Sequence, residues 1–102
     1  MAIKSTKLHL GCGNQIKSDF VNLDSIKLPG VDVVHNLNKF PWPFKDNLFD
    51  HIVSISTLEH LDNLIKVMEE IHRISKNNAI IEIRVPHFAS FGAFKDPTHR
   101  IF

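Results

Sequence analysis

The chain has a single cysteine, Cys12, among 102 residues. That excludes an internal disulfide and any multi-cysteine zinc site. It has almost no charge imbalance. Twelve basic and eleven acidic residues leave a formal net charge of +1, which argues against a broad nucleic-acid footprint, because that needs a basic stripe or a high pI. It has no apolar run approaching the roughly 18 residues of a membrane span. Met1 to Lys7 is polar and lacks the apolar core of a signal peptide. Seven histidines are present, but none falls in an H-E-x-x-H spacing, so no metal site is expected. Internal repeats and low-complexity stretches are also missing. These absences point to one cytoplasmic domain over residues 1–102, without nucleic acid or a membrane span as partner.

What is there begins with Lys7-Leu8-His9-Leu10-Gly11-Cys12-Gly13-Asn14. Leu8 and Leu10 alternate as in a short buried strand, which runs into a turn bracketed by Gly11 and Gly13. Glycines one residue apart leave bare backbone that a ligand can approach closely. In an open α/β sheet, ligands sit just outside the carboxyl ends of strands, where this turn would lie. Before it, residues 1–6 are expected to fray.

Further strands are expected at Phe20 to Asp24, Val31 to His35 and Phe49 to Ser56. Pro41, Trp42 and Pro43 make the stretch between the third and fourth an ordered loop. Asp62 reads as a helix N-cap. Leu64, Ile65, Met68, Ile71 and Ile74 recur at helical spacing, and Glu69 and Arg73 form an i,i+4 pair. Asn77-Asn78 can end that helix in a left-handed turn. A fifth strand follows at Ala79 to Val85, stopped by Pro86. Residues 87–102 read as an irregular, aromatic-anchored tail. The order predicts a parallel α/β sheet with helices sparse on one face. Gly11 to Asp19 and Ser25 to Gly30 are too short to hold crossover helices. Parallel sheets want both faces buried. The missing layer is therefore expected from a homo-oligomer, from the tail, or from a further C-terminal segment, the chain being truncated or minimal.

Taken together, Leu8-His9-Leu10-Gly11-Cys12-Gly13-Asn14, Val21-Asn22-Leu23-Asp24, Phe40-Pro41-Trp42-Pro43-Phe44, Asp46-Asn47-Leu48-Phe49-Asp50, Leu58-Glu59-His60-Leu61 and Glu70-Ile71-His72-Arg73-Ile74 resemble the class I S-adenosylmethionine-dependent methyltransferases, type 11 group. The resemblance runs from Lys7 to Pro86. It implies a Rossmann-like sheet of order 3-2-1-4-5, S-adenosylmethionine as cofactor, and methyl transfer to a small-molecule, sugar or lipid acceptor. It also implies that Gly11, Cys12 and Gly13 contact the methionine end and that Asp24 takes both ribose hydroxyls. Asn36 and Leu37 would contact adenine, though many relatives carry aspartate at the Asn36 position. Ser56 and Thr57 would close the pocket near the sulfonium.

The chemistry of the residues is consistent with this. A carboxylate can bind a diol through two charge-assisted hydrogen bonds. A cofactor without phosphates does not need a helix N-terminus behind the glycine turn. The third glycine of G-x-G-x-x-G is absent, with Ile16 in its place, which disfavours a dinucleotide. Methyl transfer is chiefly a matter of alignment, and a general base helps only when the acceptor must lose a proton. His87, His60 and Glu59 are the candidates. The alternative is a non-catalytic S-adenosylmethionine-binding or assembly module.

Overall fold

The computed structural model describes residues 5–55, 57–85 and 88–93, with 59, 85 and 88–93 described as backbone only. Strand β1 (Lys7–Leu10) lies at the centre of the sheet. It pairs in parallel with β2 (Val21–Asp24) on one side and β4 (Phe49–Ile55) on the other. β3 (Val33–Val34) lies beyond β2, and β5 (Ser75–Val85) beyond β4, both parallel. The parallel order is thus 3-2-1-4-5, as expected, with one α-helix, α1 (Leu64–Ile74), among the described residues.

One expectation is corrected at the sheet's edge. The sequence suggests an irregular tail at residues 88–93, but β6 (Phe88–Ala93) lies antiparallel along β5, from Val85 opposite Phe88 to Ile80 opposite Ala93. The small residues Ala89, Ser90, Gly92 and Ala93 blur the alternation that marks a strand. The unpaired edge of β5 supplies the template instead. Residues 94–102 of the expected tail, and 1–4 of the expected frayed lead-in, lie outside the described residues.

The two faces of the sheet differ. Through the strand register, Leu8, Leu10, Leu23, Ile52, Ile81 and Ile83 share one face. All are essentially sealed from solvent and share a core with Val67, Ile71 and Ile74 of α1. The other face carries His9, Asn22 and Val53 at its centre, with Ile80 and Val34 about half exposed further out. Among the described residues, the link between β1 and β2 covers that centre, with Asp32 of the next link accepting from Asn22 N at 2.8 Å. Asn22 holds the link down: its Oδ1 accepts from Lys17 N (3.0 Å), and its Nδ2 donates to Lys17 O (3.0 Å) and Phe20 O (3.1 Å). The Phe20 ring meets His51 edge-on. A single buried amide side chain does here what a crossover helix usually does.

His9 Nδ1 lies 3.3 Å from Asn22 Oδ1, an acceptor, so Nδ1 carries the proton. Burial holds the His9 pKa below its ordinary 6.5, outweighing the opposing effect of that bond. The unfolded chain therefore takes up this proton first on acidification. Stability from the neutral ring is complete above 6.5 and declines as pH falls below it. Between about pH 7.5 and pH 5.5 the melting temperature should fall more steeply in the native protein than in His9→Gln. Parallel pH profiles of the two in a thermal melt would contradict this.

Four helix expectations also shift. Asn63, not Asp62, caps α1, its Oδ1 accepting from Lys66 N at 3.1 Å. Asp62 is held outside the helix, because its amide donates to Asn38 Oδ1 (3.0 Å). Leu64 and Ile65 face water, 41% and 75% exposed, and the buried stripe is Val67, Ile71 and Ile74. Arg73 pairs with Glu70 rather than Glu69, since Glu70 stands beside the Pro-Trp-Pro-Phe loop that Arg73 also binds. The helix ends at Ile74, three residues before Asn77. Asn78 does adopt a left-handed conformation (φ +63°), but within β5, where the pairing jumps from Phe49–Ser75 to His51–Ile80.

Candidate functional site

β1, β2 and β4 end together, and the glycine turn begins there. Gly11 has φ +64°, and a Cβ on it would lie 2.3 Å from Thr57 Oγ1. Only glycine fits between the turn and the segment after β4. Thr57 is itself fixed, its hydroxyl donating to Ile55 O at 3.1 Å. Cys12 N donates to Leu23 O (3.0 Å), continuing the β1–β2 ladder into the turn. Gly13 has φ +54°, and its Cβ position opens on free space.

Asp24 ties the turn to β2. Its Oδ2 accepts from Gly13 N at 2.7 Å and its Oδ1 from Ile26 N at 3.1 Å. The same residue's carbonyl accepts from His35 N (3.0 Å), which joins the β2 and β3 ends. Beyond β3, Asn36 Oδ1 accepts from Asn38 N (2.9 Å), the local turn that asparagine favours. Leu37 is buried, and its carbonyl accepts from Trp42 Nε1 at 3.1 Å. Trp42 is therefore a buried anchor of the base of this loop.

These elements enclose a cleft of about 280 Å³, near the lower bound of ligand-sized clefts. Of the residues singled out in the sequence, Gly11, Asp24, Asn36, Leu37, Thr57 and His60 line it. Cys12 and Gly13 sit alongside, Gly13 through its bond to Asp24. Cys12 is buried, and burial, reinforced by the Asp24 carboxylate, pushes its thiol up, so the sulfur is protonated and inert near neutrality. Ser56 and His87 lie outside the described residues, as does the side chain of Glu59. Ser25, His35, Asn38 and Leu61 also line the cleft and were not singled out. Asn38 carried a usable signal, since two asparagines two apart after a strand suggest side chains turned onto backbone. Among the described residues, no group of three or more His, Cys, Asp or Glu side chains could hold a metal, and no helix is long and apolar enough to cross a membrane.

A family model described as "Methyltransferase domain" matches residues 11–83. A comparison with curated proteins gave no match. Several solved structures share the architecture. A candidate S-adenosyl-L-methionine-dependent methyltransferase from Methanococcus maripaludis superposes with a TM-score of 0.61 at 21% identity, covering 80% of this chain and 48% of that one. The candidate methyltransferase complexed with the Trm112 methyltransferase activator of Haloferax volcanii gives 0.63 at 18%, covering 83% and 47%. The [4+2]-cyclase SpnF gives 0.61 at 17%, covering 76% and 37%. The chain thus spans about half or less of these proteins. With the family match over the glycine turn, β2 and β4, and with the same sheet, the chain belongs to the methyltransferase domain family and has the Rossmann-like fold of the class I enzymes whose cofactor is S-adenosylmethionine.

Proposed function

We propose that this chain forms the cofactor-binding core of a cytoplasmic S-adenosylmethionine-dependent methyltransferase acting on a small-molecule, sugar or lipid acceptor. The observation that carries the reading is the Asp24 carboxylate, held on the Gly13 amide beside the cleft. Each of its oxygens accepts one backbone N–H and keeps a lone pair for a ribose hydroxyl. The open space at Gly13 suits the methionine end, which would meet backbone and not side chain. Asn36 and Leu37 take the base end, and Thr57, with Ser56 beside it in sequence, the sulfonium end.

Bound there, S-adenosylmethionine would supply an electrophilic methyl group on sulfur. The chain's own part is alignment, and fixing both partners in line supplies much of the rate. Gly11 leaves just the space that the Thr57 side chain takes, so the turn and the segment after β4 stand close enough to hold one ligand between them. His60 lines the cleft, as His35 does, and is the candidate base whose side chain is described. Glu59 and His87 complete the set of candidate bases. The half-covered second face supports a further layer, from another copy or additional C-terminal chain.

A second reading has its own support. A fold does not fix a reaction, as a cyclase with this fold shows, and the chain covers 48% and 47% of two methyltransferases that it matches. The chain would then bind the cofactor as a non-catalytic or assembly module. Calorimetric titration with S-adenosylhomocysteine, alongside a methyl-transfer assay over an acceptor panel, separates the two. Binding with turnover supports the enzyme, and binding without turnover supports the module. No binding overturns both.

A further inference from the structure

The cleft has two walls from distant parts of the chain. One is the loop after β3, with Leu37 and Asn38, and the other is the segment after β4, with Thr57, His60 and Leu61. Each wall is anchored at its base. Leu37 is buried, and its carbonyl accepts from Trp42 Nε1 (3.1 Å). Leu58 is buried at the start of a short helical turn (Leu58–His60), and beyond it Asn63 caps α1, whose Val67 reaches the core. Between these anchors Leu61 leaves the turn in an extended conformation (φ −93°, ψ 145°), and Asp62 and Asn63 are exposed. The walls are joined there. Asn38 Oδ1 accepts from Asp62 N at 3.0 Å, across 24 positions of sequence. Asn38 is itself fixed, its own N–H donating to Asn36 Oδ1 at 2.9 Å. A backbone N–H needs an oxygen, so the Asp62 amide also sets which way the Asn38 side chain faces.

We propose that Asn38 is a positioning residue, a clasp that holds the His60–Leu61 wall at the distance from the β3 loop that the ligand needs. The inference rests on the cofactor reading above, and it acts through Asp62, with no contact between Asn38 and the ligand. The place of the bond decides its effect. It spans the exposed rim, whereas Leu58 and Val67 pin the segment to the core on either side of it. Breaking it therefore leaves the fold standing. It frees residues 60–63, and a ligand must then order them on arrival, so the cost is felt in affinity. One neutral hydrogen bond bounds that cost at about three- to tenfold.

The test opens the clasp from both sides. Asn38→Ala removes the oxygen, and Asp62→Pro removes the N–H, the extended Leu61 being suited to precede a proline. In calorimetry with S-adenosylhomocysteine, each variant should bind about three- to tenfold more weakly than the native chain. The double variant should lose no more than the weaker single one, because both remove the same bond. Asn38→Asp keeps an oxygen for the Asp62 amide and should bind within about twofold of the native chain. Melting temperatures should fall by no more than about 4–8 °C, the shift for one hydrogen bond in a domain of this size. Native affinity in Asn38→Ala would overturn the inference, since a bond that only braces the fold would lower the melting temperature alone. Equal weakening in Asn38→Asp would overturn it too, because the missing group would be the amide donor and Asn38 would touch the ligand. Additive losses in the double variant would do the same. If Asp62→Pro does not fold, the contrast between Asn38→Ala and Asn38→Asp decides. If the native chain itself does not bind the ligand, the cofactor reading falls and the clasp with it.

Discussion

Replacing Asp24 with alanine is expected to weaken S-adenosylhomocysteine binding about 10- to 150-fold, the equivalent of about 1.5–3 kcal/mol for lost hydrogen bonds to a charged group. The effect has two sources. The variant removes the oxygens offered to the ribose, and it frees the Gly13 and Ile26 amides that those oxygens hold at 2.7 and 3.1 Å. Asp24→Asn separates them. Asparagine keeps one oxygen for the Gly13 amide but puts a donor where the second carboxylate oxygen stood. It should preserve the melting temperature better than alanine does while still losing most of the affinity. Calorimetry and a thermal melt on the two variants measure both quantities. Native affinity in Asp24→Ala would remove the residue from the ligand's path, and the proposed function would go with it.

The largest effect on stability is expected at Arg73. Its Nε and Nη2 grip both oxygens of Glu70 (2.7 and 2.9 Å), Nη1 donates to Phe44 O (2.8 Å) and Asp46 Oδ1 (2.9 Å), and Nη2 reaches Trp42 O (3.2 Å). Glu70 in turn accepts from Trp42 N at 2.8 Å. One guanidinium thus fastens the Pro-Trp-Pro-Phe loop to α1. The Glu70 side chain is 12% exposed and that of Arg73 28%, so partial solvation places the cost at the low end for breaking a buried pair. Arg73→Leu should lose about 3 kcal/mol, a fall of roughly 12–24 °C in a domain of this size. Trp42 is the sole tryptophan and is buried, so its emission should shift to the red in the folded variant. Hydrogen bonding to Arg73 holds the Glu70 carboxyl below its ordinary 4.5. This contribution is complete above 4.5 and drains away as pH falls below it. The gap between native and variant should therefore narrow in acid. A loss under 1 kcal/mol at neutral pH would show that the loop is held by its aromatic packing alone.

How far the sequence could be read depended on whether a feature was local. Leu8, Leu10 and the two glycines specify a strand and its turn within seven residues, and Asp24 closes a strand of its own. The order of the strands and the place of Asn36, Leu37 and Thr57 beside Gly11 and Asp24 came from the family resemblance, and these residues do line one cleft. Features set by a distant partner were not legible. Leu64 and Ile65 have helical spacing, yet the sheet is met by Val67, Ile71 and Ile74, because the way a helix lies on a sheet is set by contacts with distant strands. β6 exists through the edge it borders. Asn22 drew no notice, since an asparagine in a strand means little until Lys17 and Phe20 are seen to hang from it.

The sealed position of Cys12 has a practical side. It is the chain's only thiol, and it sits inside the turn that Asp24 latches. Its rate of alkylation in native buffer therefore reports the openings that expose this turn, and in conditions where the domain as a whole stays folded it times the latch beside the cleft.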